Sequence, residues 1–166
     1  MKNSKLTLHW EEPESYQTHN QNWPKGYFEY YVDDVALPDI IDQAYQYNYF
    51  IRQNHFTGTI YKSADPEFDT LNKALFLGKI KSVEDINDNF KNTAPPYLIN
   101  DYLTKGQVPI YTCPCGDIIC GGLVISIEVS SQSVQWNFGE REKLGPIYFE
   151  KNQYLTEIER AFTALV

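Results

Sequence analysis

Leu6, Leu8 and Trp10 alternate with Lys5, Thr7 and His9 near the start of the chain, the period of a strand with one buried face. A first strand is expected there. From Glu11 to Lys25 the chain is polar, carries Pro13 and Pro24, and reads as a loop. Tyr27 to Val32 follows Gly26 and is rich in Tyr and Phe, which predicts a second strand. After Asp33-Asp34, Pro38 suits a first helical position, with Asp39 and Asp42 near the positive end of the helix dipole. A helix from about Pro38 follows. How far it runs stays open, because Tyr45, Tyr47 and Tyr49 then alternate as a strand would.

Asp65 to Leu77-Gly78 has the pattern of a capped helix that stops at a glycine. Ser82 to Asn100 is polar, holds Pro95-Pro96 and reads as mostly irregular. Val108–Thr112, Leu123–Val129 and Val134–Phe138 then predict a β-meander, with Ile147–Glu150 as a short further strand. Leu123, Ile125, Ile127 and Val129 face one side of it, while Ser126 and Glu128 face the other. From Asn152, a candidate N-cap, Tyr154, Leu155, Ile158, Phe162 and Leu165 recur at helical spacing. The expected fold is a single α+β domain over residues 1–166, an antiparallel sheet packed with a few helices, including a C-terminal amphipathic helix.

The most reactive chemistry lies between two of these strands, in Cys113-Pro114-Cys115-Gly116-Asp117-Ile118-Ile119-Cys120-Gly121-Gly122. Cys113, Cys115 and Cys120 offer three sulfur ligands to zinc, which takes four tetrahedral N or S ligands. The Cys-x-Cys gap is shorter than the usual structural zinc spacing, and His9, His19 and His55 are remote in sequence. A redox role calls for a low-pKa thiolate beside a resolving thiol, commonly as Cys-x-x-Cys. The plainer reading is a glycine-shaped reversal with small apolar sulfur fillers, and it takes precedence. No histidine has a nucleophile or carboxylate at catalytic spacing, and no glycine-rich phosphate loop occurs. The expectation is a protein that is not an enzyme and carries no cofactor, with the zinc or thiol site as the alternative.

Charge sharpens this. Fourteen basic against 22 acidic side chains give a net charge of −8, which opposes direct binding to nucleic acid or to an anionic membrane; it suits encounter with a basic protein partner, and plain solubility accounts for the same charge equally well. Acidic clusters at Asp33 and Asp34, at Asp65, Glu67 and Asp69, and at Glu84, Asp85 and Asp88 are the candidate contacts for that partner; the calcium-loop pattern is absent from them. Solvated faces and helix starts are the simpler account of the same residues. The aromatics from Trp23 to Tyr49 supply either a core or interface hot spots, with the core favoured. Leu6–Trp10 is too short for the apolar core of a signal peptide, and no run of apolar residues is long enough to span a membrane. A cytoplasmic location is expected, which also suits three closely spaced cysteines.

Tyr27–Leu37, the Cys-Gly-Asp-x-x-Cys-Gly turn at residues 115–121, and Val134-x-Trp136-x-Phe138 together resemble a family of small uncharacterised bacterial proteins. That resemblance implies a cysteine-glycine turn between two strands and a tryptophan on the next, and it carries no catalytic residues over. In overall profile the chain also resembles immunity proteins of contact-dependent growth inhibition and related toxin systems. This second resemblance implies a small acidic cytoplasmic inhibitor that neutralises a cognate toxin domain, often a nuclease, by covering its active site or a neighbouring surface.

Overall fold

The computed structural model describes residues 2–12, 26–45, 51, 56–63, 65–81, 85, 106–113, 122–139 and 144–166. Strands β1 (Leu6–Glu11), β2 (Tyr27–Val32) and β3 (Val35–Ala36) form an antiparallel sheet in that order, and helix α1 (Leu37–Tyr45) follows directly. Next come the short strand β4 (Thr57–Gly58) and helix α2 (Pro66–Phe76). The meander β5 (Gln107–Thr112), β6 (Gly122–Val129), β7 (Ser133–Asn137) and β8 (Ile147–Glu150) joins β4 in a second antiparallel sheet of order β4-β5-β6-β7-β8. Helix α3 (Lys151–Ala164) closes the chain. The fold is α+β, with a C-terminal helix behind a strand meander.

Local chemistry accounts for most boundaries. Asp65 caps α2 by accepting the Glu67 N–H at 2.9 Å, and Pro66 occupies the first turn, where its missing N–H costs nothing. Gly78, at φ +71°, turns the chain out of that helix, and its N–H bonds the Leu75 carbonyl at 3.1 Å. The N-cap of α3 is Glu150 rather than Asn152: its carboxylate accepts the N–H groups of Asn152 at 3.0 Å and Gln153 at 2.7 Å. A glutamate ending a strand can bend back over the first helical turn, an option that the capping preferences of Asn conceal. The tyrosine-rich stretch 46–50 and the irregular stretch expected over 82–100, apart from the exposed Asp85, lie outside the described residues.

The two sheets touch at both ends through the main chain. The Ser4 N–H donates to the Tyr148 carbonyl, which ties the entry of β1 to β8, and the Phe28 N–H donates to the Ile60 carbonyl at 2.9 Å, which ties β2 to the segment after β4. Gly58 permits the second contact, because a Cβ there would lie 2.7 Å from both the Phe28 carbonyl oxygen and the Tyr27 ring. Inside this circuit one apolar cluster runs from Leu6, Leu8 and Tyr30 through Ile110, Ile125 and Trp136 to Ile158 and Phe162. Tyr30 packs edge-on against Tyr111 at 5.5 Å and against Trp136 at 5.6 Å, and Trp136 meets Phe149 at 5.2 Å. Polar tips inside it are paired. The Trp136 indole N–H donates to Tyr154 Oη at 3.2 Å, and that hydroxyl donates to the Phe76 carbonyl at 2.7 Å.

Candidate partner-binding surface at the edge of β1

An edge strand presents unpaired N–H and C=O groups that invite another strand. On β1 they are answered by side chains of α3. Gln153 accepts the Leu6 N–H at 3.1 Å and donates to the Leu6 carbonyl at 2.5 Å. Glu157 accepts the Leu8 N–H at 2.8 Å, and Arg160 donates to the Leu8 carbonyl at 2.7 Å. These residues recur at i, i+4 and i+7, one helix face, so α3 stands where a neighbouring strand would. The geometry follows from the short β8–α3 junction, which starts the helix beside the point where β1 leaves β8 at Ser4.

Arg160 and Glu157 also bond each other, from Nε to Oε2 at 3.0 Å and from Nη2 to Oε1 at 2.6 Å. Burial raises the Glu157 carboxyl, but the Arg160 guanidinium and the Leu8 N–H together hold it below the ordinary carboxylate range. The bond to Glu157 lifts Arg160 further above its already high value. The guanidinium lies 5.9 Å from the centroid of the Phe28 ring, a cation–π contact. Together Leu8, His9, Trp10, Phe28, Glu157 and Arg160 line an open groove of about 590 Å³.

At the far end of the groove Trp10 is 42% exposed, against 0% for Trp136. Its indole packs edge-on to Phe28 at 5.2 Å, and its N–H donates to Glu12 Oε1 at 2.8 Å. Gly26 backs it, since a Cβ there would come within 2.8 Å of the ring. On the other face of the sheet His9 meets Tyr31 edge-on at 4.5 Å.

Behind this edge, Glu29 is a buried carboxylate. Tyr111 donates a short hydrogen bond to its Oε1, which also accepts the Tyr30 N–H at 2.9 Å, and Tyr27 donates to Oε2 at 3.3 Å. Burial and the neighbouring carboxylate push the Tyr111 hydroxyl well above its ordinary value, so it stays protonated and donates. Thr59 supports the same region: its hydroxyl donates to the Pro109 carbonyl at 2.7 Å and therefore accepts from Tyr30 Oη at 3.3 Å, while Asn72 donates to its carbonyl at 2.8 Å.

The acidic residues singled out from sequence are dispersed and largely engaged locally. Asp33 and Asp34 form the β2–β3 turn at φ +50° and +67°, and Asp33 Oδ1 accepts the Lys5 N–H at 2.8 Å. That bond holds the Asp33 carboxyl below its usual range. Asp65 caps α2, exposed Glu67 lies in its first turn, and Asp69 accepts the Ser63 N–H at 3.0 Å. Asp85 accepts the Lys81 N–H at 2.8 Å, whereas Glu84 and Asp88 lie outside the described residues. Cys113, half-buried, directly follows β5; Cys115 and Cys120 lie outside the described residues. Among the described residues no cluster of three or more His, Cys, Asp or Glu could hold a metal ion, and no helix is long and apolar enough to cross a membrane.

Sequence reasoning passed over Trp10 and the α3 ladder. Trp10 closes the apolar face of β1 in the alternation, and only the Glu12 two residues on, on the same face, hinted that its edge is polar. No family model, curated protein or solved structure matches the chain.

Proposed function

We propose that the protein is an immunity-type inhibitor, a cytoplasmic binding protein that neutralises a cognate bacterial toxin domain, basic and of nuclease type, without catalysing a reaction. The observation that carries this reading is the exposed Trp10 beside Glu12, at the end of a groove that also holds Arg160 and Glu157, on a chain of net charge −8. Trp and Arg dominate binding hot spots, and an acidic surface accelerates encounter with a basic one. A nuclease domain is basic because it must hold a phosphate backbone, so the same charges that repel nucleic acid here attract the enzyme that cuts it.

Co-expression with the protein encoded immediately upstream tests the proposal. The expected result is a complex that co-elutes in size-exclusion chromatography, together with rescue of cells from that protein's toxicity. Separate elution without rescue would reject it.

A further inference from the structure

The ladder that α3 builds along β1 stops one rung short. Leu6 and Leu8 bond outward to the helix, and Trp10 has the same parity, so its N–H and C=O project to the same edge. One turn beyond Arg160 the helix offers only the methyl of Ala164, its last residue. Main-chain pairing capacity therefore continues past the point where the helix can answer it.

Two further groups converge on this rung. The Trp10 indole packs against Phe28 and Gly26 yet is 42% exposed, so part of the ring stays open to solvent. Glu12 is fixed at the ring edge by the indole N–H through Oε1, while its Oε2 takes no part in that bond. A π face with a carboxylate at its rim is a receptor for a cationic side chain. Arg160 does not fill it, being committed to Glu157, to the Leu8 carbonyl and to the Phe28 ring.

We infer that the Trp10 end of β1 seats an extended basic segment of a protein partner, its main chain bonding the strand edge at Trp10 and an arginine stacking on the indole with its guanidinium on Glu12. Arginine fits better than lysine, since a planar guanidinium stacks on the ring and forks to a carboxylate at once. The inference rests on the binding-protein reading above and adds the contact that reading lacks: main-chain addition supplies affinity, and the cation supplies selectivity.

The test is a ¹⁵N NMR titration with a blocked pentapeptide, Thr-Val-Arg-Val-Thr, and with the same peptide carrying glutamate in place of arginine. The amide and indole resonances of Trp10 are expected to shift saturably, in the millimolar range, with the arginine peptide alone. Glu12→Gln should weaken that binding about fivefold, and Trp10→Ala should abolish it while the remaining spectrum stays dispersed. Equal response to both peptides, saturation centred elsewhere, or indifference to Glu12→Gln would overturn the assignment. Capture of the upstream protein by wild type and both variants alike would reject the seat and leave the immunity reading standing. Trp10-dependent peptide binding without such capture would do the reverse.

Discussion

Glu29 is held as a hydrogen-bonded carboxylate inside the fold by Tyr27, the Tyr30 N–H and Tyr111, and its truncation would take away the acceptor of the buried Tyr111 hydroxyl. Glu29→Ala is therefore expected to cost about 2–4 kcal/mol, measured by urea unfolding, with a smaller loss when combined with Tyr111→Phe because that donor disappears. Additive losses would show that the two groups are not energetically coupled. Asp34 offers a test of opposite sign. At φ +67° in a two-residue turn it occupies a conformation that glycine adopts freely and β-branched residues resist. Asp34→Gly should stabilise by about 0.5 kcal/mol, whereas Asp34→Val should destabilise by about 1–2 kcal/mol, both read from the unfolding midpoint. The sequence shows this turn as an Asp-Asp pair between strands, but it hides the destiny of Glu29. Its main partner, Tyr111, is 82 residues away, so no local pattern announces the bond.

At the scale of elements, most strands and helices are written in local periodicity, because burial on one face forces alternation in β1 and β6 and a repeat of three to four in α3. The role of the polar face of α3 is not legible in that way. Gln153, Glu157 and Arg160 have the look of ordinary solvated positions, and only the tertiary path of β1, 147 residues earlier for Gln153, turns them into a substitute strand. This arrangement has a pH signature. Glu157 is held below its ordinary range, so the stability it contributes is complete above that range and is lost as pH falls through its depressed folded value. Asp33, lowered first by the Lys5 N–H, acts in the same direction at the other end of β1. Unfolding free energy measured from about pH 6 to about pH 3 should fall less steeply in Glu157→Gln than in wild type, and least in the variant that also carries Asp33→Asn. An unchanged slope in the double variant would show that neither carboxylate is linked to folding through its hydrogen bonds.

For the molecule as a whole, the decisive features are long-range. The sequence supports an α+β fold with a C-terminal meander, yet the division into two sheets arises from where β1 and β2 are held, through Ser4 against β8 and Phe28 against Ile60. Neither contact has a sequence motif, since each joins main-chain groups that every residue carries. Gly58 is the nearest thing to a clue, but a glycine beside a strand has many uses, and its close approach to Tyr27 and Phe28 is visible only in three dimensions. The apolar cluster crosses the boundary between the sheets: Tyr30 of β2 packs on Tyr111 of β5 and Trp136 of β7, and Ile158 and Phe162 of α3 belong to the same core. Such a core cannot be opened in one sheet without exposing the inner face of the other. Near-UV circular dichroism, dominated by this aromatic cluster, and far-UV circular dichroism, which reports the backbone, should therefore give superimposable urea transitions. Trp136→Phe should shift both by the same amount, because Trp136 pairs with Tyr30 on the first sheet, with Phe149 on the second and with Tyr154 on α3. A near-UV transition that precedes the far-UV one would mean that the shared aromatic core loosens while the strands and helices persist, and that the two sheets are not bound into one cooperative unit by it.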